Sequence, residues 1–145
     1  MIPRDWHLAY LGKPWAAVPD PPQSYTCGEL VRAVHRDMFG IDSPEILADP
    51  RILRECVAAM EPGRFGLRPL AADERPRQFD VAFMMRAQRE DHVGIGCMTA
   101  DGLLILHCMQ GAGVILDSPG ELRGTGVRRI NWYRHKNIPE RVCRV

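Results

Sequence analysis

The clearest helical pattern along the chain runs from Cys27 to Phe39. At 100° per residue, Cys27, Leu30, Val31, Val34 and Met38 fall in one stripe, with Glu29, Arg32 and Arg36 opposite, and Gly40 supplies a stop. A second stripe, Ile52, Leu53, Cys56, Val57 and Met60, predicts another helix. Ser43 can cap a short turn with Pro44 at its first position, Asp49-Pro50 repeats the device before this helix, and Glu61-Pro62-Gly63 ends it. After a proline-punctuated connector at 68–78 the period changes to two. Phe79, Val81, Phe83 and Met85 share one side of an expected strand. Residues 91–98 and 103–109 flank Thr99-Ala100-Asp101-Gly102, a turn suited to a hairpin, and 113–117 continues the meander. Gly124 to Tyr133 predicts a further strand with Trp132 and Tyr133 buried at one end. Residues 1–24 carry no period; Trp6, Tyr10 and Trp15 stand among Gly12, Pro14, Pro19, Pro21 and Pro22 in an irregular arm. Helices first and strands afterwards predict an α+β fold with N-terminal helices packed on an antiparallel sheet.

Composition narrows this picture without redirecting it. A chain of 145 residues, 46% hydrophobic and 26% charged, suits one domain spanning 1–145 with a single sizeable core. Nineteen basic against eighteen acidic residues leave a formal charge of +1, so no general attraction to nucleic acid or anionic membrane is expected. Five cysteines, at 27, 56, 97, 108 and 143, form no close pair and read as reduced thiols. The amino terminus, Met1 to Trp6, lacks the apolar core of a signal peptide, and no apolar run could span a bilayer, so synthesis in the cytosol is expected.

The candidate chemistry starts at Cys27, because a thiol at a helix start lies near unpaired N–H groups and the positive end of the helix dipole. By itself such a cysteine is as well explained as a small core residue. The hairpin supplies partners. If Met98 opposes Leu103, then His107 opposes Gly94, and His92 and His107 share a face as diagonal neighbours, with backbone positions roughly 7–8 Å apart. A slip of one residue would separate them. Gly94 would leave room there for a ring or a substrate. Cys27 as nucleophile, His92 as base and His107 as the group orienting His92 would make a cysteine-hydrolase site. A zinc site from His92, Cys97, His107 and Cys108 is the weaker alternative, because no short-spaced ligand pair supports it and Cys108 should face away from His107. Arg123, Arg128, Arg129, Arg134 and Lys136 read as a solvated strand edge.

These residues also carry a resemblance. Leu11 to Trp15, Thr26-Cys27-Gly28-Glu29-Leu30, Phe79-Asp80-Val81, His92-Val93-Gly94-Ile95, Leu106-His107 and Trp132-Tyr133-Arg134 follow one another as do the motifs of NlpC-type cell-wall cysteine peptidases. The chain resembles in particular the branch encoded in bacteriophage tail gene clusters. The resemblance implies a papain-like domain that cleaves stem-peptide amides of bacterial peptidoglycan through Cys27, His92 and His107, without metal or organic cofactor. It places Trp15 near the family's active-site tyrosine, and Trp15, Tyr25, Thr26 and Gly94 are expected to line the substrate site. Other phage tail proteins would be partners, and the virion tail would be the destination after cytosolic synthesis. Three positions depart from the pattern: Thr26 replaces aspartate, and Glu29 and Phe79 replace glycine. A tail-tip structural protein that keeps the fold with little activity is the competing expectation.

Overall fold

The computed structural model describes residues 2–44, 62–86 and 90–140. The helix expected over 52–60 and its Asp49-Pro50 start lie outside them.

Helix α1 spans Cys27–Phe39 and buries Leu30, Val31, Ala33, Val34 and His35, while Cys27 and Met38 are half-buried. Its first turn is closed by Thr26, whose hydroxyl accepts the Glu29 N–H at 3.3 Å. Gly40 ends it in the left-handed conformation, with φ 68°. Six strands follow: β1 (Leu67–Pro69), β2 (Val81–Met85), β3 (Glu90–Thr99), β4 (Gly102–Met109), β5 (Gly113–Asp117) and β6 (Arg129–His135). They form one sheet in the order β1-β6-β2-β3-β4-β5, antiparallel at every pairing. The expected α+β class and antiparallel sheet are therefore present.

Alternation along the strands divides the core in two. Val81, Phe83, Val93, Ile95, Cys97, Leu106, Cys108 and Val114 pack with Leu30, Val31, Ala33 and Val34 of α1. Ala82, Met84 and Ile105 point the other way and pack with Leu122 and Val127. Leu122 belongs to a short helix, α2 (Pro119–Gly124), which the hydrophobic pattern missed. Its signal lay in the capping box, in which the Ser118 hydroxyl accepts the Glu121 N–H at 3.1 Å and the Glu121 carboxylate accepts the Ser118 N–H at 2.9 Å.

Two other expectations change. The connector at 68–78 overlaps β1, which pairs with β6, so β6 lies inside the sheet and not at an edge. Arg134 is accordingly buried, not solvated. Its guanidinium grips Asp80 at 2.8 and 2.7 Å and reaches Glu74 at 3.1 Å. A buried charge without that partner would cost about 3–5 kcal/mol, which makes this pair the clamp between β6 and the start of β2. Trp132 and Tyr133 are only partly buried. The aromatic arm behaves as packing: Trp6 and Tyr10 are buried, and the Tyr10 hydroxyl donates to Asp37 of α1 at 2.7 Å.

Candidate active site

The β3–β4 register pairs Met98 with Leu103 and Gly94 with His107, as the hairpin spacing predicts. His92 and His107 therefore point to the same face, and their rings meet edge to face with centroids 5.1 Å apart. His92 Nε2 lies 2.9 Å from His107 Nδ1. His107 is fully buried, and its Nε2 lies 2.8 Å from a carboxylate oxygen of Asp117. Asp117 ends β5, where its backbone pairs with Ile105, two residues before His107, so it is a diagonal neighbour on the same face.

Asp117 settles the direction of the whole chain of hydrogen bonds. A carboxylate only accepts, so His107 Nε2 carries the proton and donates it. His107 Nδ1 is then the acceptor, and His92 Nε2–H must donate to it. What remains on His92 is an Nδ1 lone pair, the atom a base needs. Both rings are held neutral at rest. Burial pushes the His92 pKa well below its ordinary value, assisted by the positive charge of Arg86 and by His107. Burial lowers His107 as well, with Arg86 adding to the shift and Asp117 opposing it.

Cys27 occupies the first position of α1, half-buried against the α1-side core. It lies close enough to Cys108 for its charge to raise that thiol. Cys108, which donates to the Tyr25 carbonyl at 3.3 Å, is itself pushed up to about 12, chiefly by burial. Strand alternation places Cys108 and Val93 on the α1 face and His107 and His92 on the opposite face, beside Ile105 and Met84. The thiol and the imidazoles thus approach from opposite faces at one end of the hairpin. There the β3–β4 ladder stops at Gly94 and His107, while β2 stays paired with β3 past His92, through a bulge, to Glu90, and β4 with β5 to Met109. The same alternation separates Cys97 and Cys108 from the two imidazoles, so these four side chains do not converge on one ion.

The remaining expected site residues fall out differently. Trp15 is half-buried and bridges to Tyr25, two residues before Cys27. Tyr25 is 1% exposed, with its ring 6.1 Å from that of Tyr10, so it supports the helix start and offers no face to a substrate. Thr26 is the cap of α1. Gly94 leaves no free space: a Cβ there would stand 2.6 Å from Ile105 Cγ2, 2.9 Å from the Leu106 carbonyl oxygen and 3.0 Å from His107 Cβ. It lets β4 close on β3 and so sets the His107 ring in place. Glu29 turns its carboxylate to Arg32, at 2.8 Å, across the helix surface. Phe79 takes φ 71°, a conformation that favours glycine and costs a bulky residue of order 1–3 kcal/mol. Its buried ring packs on Trp6 and Phe39, with centroids 4.7 and 4.9 Å away.

Sequence reasoning missed Asp117 and Arg86. Asp117 had a signal, since the meander sets 113–117 beside 103–109, but its partner depends on the register of a second hairpin. Compared with known proteins, the chain matches no family model and no curated sequence.

Proposed function

We propose that the protein is an NlpC-type cysteine peptidase of a phage or prophage tail that cleaves stem-peptide amides of peptidoglycan. The observation that carries this reading is the hydrogen-bonded series His92–His107–Asp117, which leaves His92 Nδ1 as a base at the end of the hairpin where α1 begins. Cys27 Sγ attacks the amide carbonyl, and Nδ1 takes the thiol proton as the C–S bond forms. Because burial keeps His92 neutral at rest, the proton leaves during attack and no standing thiolate is required. The N–H groups of the first turn of α1 face the developing oxyanion. His92 then hands the proton to the leaving amine, and water, deprotonated by the same nitrogen, hydrolyses the thioester. These steps require Cys27 Sγ and His92 Nδ1 to meet past the end of the β3–β4 ladder.

The three departures from the family pattern fit the same reading. Threonine caps a helix as aspartate does, Glu29 is drawn off by Arg32, and Phe79 takes a positive φ of the kind glycine favours.

A second reading, a tail-tip structural protein with the same fold and little activity, is favoured by one observation, the placement of Cys27 and the imidazoles on opposite faces. Digestion of purified peptidoglycan by wild type and Cys27→Ala, followed by mass analysis of the fragments, separates the two. The peptidase predicts new amine and carboxyl ends from wild type alone; equal output from both proteins rejects it.

A further inference from the structure

Several arginines reach a carboxylate: Arg32 holds Glu29, Arg68 holds Glu74, and Arg134 holds Asp80 and Glu74. Arg86 and Arg128 belong to the described arginines whose guanidiniums meet none. These two stand at the same end of β2. Arg86 follows the last residue of β2, Met85; Arg129 is the β6 partner of Met85, and the Arg128 N–H donates to the Met85 carbonyl at 2.8 Å. Arg128 is exposed, whereas Arg129, paired with Met85, lies on the α1 face. Arg86 is half-buried, and its Nε is withdrawn from solvent with no hydrogen-bond partner. A buried guanidinium donor left unmatched is costly, and a bound anion removes the cost. Met84, two residues before Arg86, pairs with His92. Arg86 thus stands beside the histidine pair, near enough for its charge to bear on both rings.

We propose that Arg86, flanked by Arg128, is the carboxylate-binding subsite of the site built on His92 and His107, selecting peptides with a free carboxylate beside the amide that is cut. The proposal rests on the peptidase reading for its substrate, though not for its anion. A planar guanidinium fork suits a carboxylate in two-point contact, and the exposed Arg128 would draw acidic chains toward it.

The test titrates the folded protein with acetate and, separately, acetamide at constant ionic strength, following the imidazole NMR signals of His92 and His107. Acetate should shift both signals saturably and acetamide should not; Arg86→Gln should weaken acetate binding by about tenfold or more, as expected for losing a charge-assisted contact. Equal response to the two probes, or unchanged acetate binding in Arg86→Gln, overturns the proposal. Should Arg86→Gln fail to fold, the two probes on wild type decide alone. A second arm compares kcat/KM for a stem peptide and its amidated twin. A preference of about tenfold for the acid, lost in Arg86→Gln, supports the subsite, and equal rates on wild type reject it. If wild type cuts neither, the peptidase reading falls while the acetate titration still judges the anion site.

Discussion

Two pairs of histidine rings pack edge to face in this molecule, and they end differently. His35 and His135 meet edge to face with centroids 5.7 Å apart, much as His92 and His107 do at 5.1 Å. The first pair is tied to backbone. His35 Nε2–H donates to the Phe79 carbonyl at 3.1 Å, while His135 Nδ1 accepts the Asn137 N–H at 3.0 Å and its ring is hydrogen-bonded to the Phe65 backbone. Those partners secure each ring separately and pass nothing between them. The second pair is joined nitrogen to nitrogen and closed by a carboxylate, which orders its protons and leaves one lone pair for chemistry. Two aromatic rings in a core can therefore be packing or machinery, and the group at the end of the line decides which.

The contrast breaks most sharply by substitution. On the peptidase reading, His92→Ala should cost peptidoglycan hydrolysis at least 10³-fold, since base and nucleophile would act as a unit. His35→Ala should leave kcat/KM within about threefold and lower stability by about 2–4 kcal/mol in urea melts. A loss below tenfold for His92→Ala would erase the distinction. Acid gives the next effect. Burial lowers the His35 pKa to about 4, below its ordinary value of 6.5, so the unfolded chain takes up this proton first as pH falls. Stability is complete above about pH 6.5 and declines toward pH 4, by about 3 kcal/mol from this residue. Urea midpoints measured across that range should show the decline in wild type and a smaller one in His35→Gln.

Removing the carboxylate from the ordered pair should come third. Asp117→Asn keeps the shape and lets His107 turn its proton either way, so kcat should fall about 10²-fold with KM little changed. An equal fall in His35→Gln would mean that both variants act through folding. The smallest effect belongs to the tethered pair. Gly66 has φ 72°, and a Cβ there would stand 2.9 Å from His135 Nε2. Gly66→Ala should lower stability by about 1–2 kcal/mol and leave hydrolysis unchanged.

Local signals in the chain carried further than their number suggests. The α1 stripe, its Gly40 stop and the Met98–Leu103 register were legible because each depends on residues a few positions apart. From that register alone His92 and His107 had to share a face. Three things were not legible. Arg134 reads as a surface cation until β1 closes over β6 and Asp80 lies beneath it. Gly94 reads as open space until Ile105 and Leu106 occupy it. Phe79 reads as an ordinary strand residue until its backbone proves left-handed.

The sequence by itself determined which side chains alternate together, because strand and helix periods are properties of the local backbone. It could not determine which face of the sheet α1 would cover, since either face is apolar enough to bury a helix. That choice belongs to the tertiary structure, and it sets Cys27 and Cys108 on one side with His92, His107 and Asp117 on the other. It also brings Asp117 to His107 and the charge of Arg86 within range of the pair, arrangements that depend on how successive strands stack across the sheet and not on any spacing along one of them.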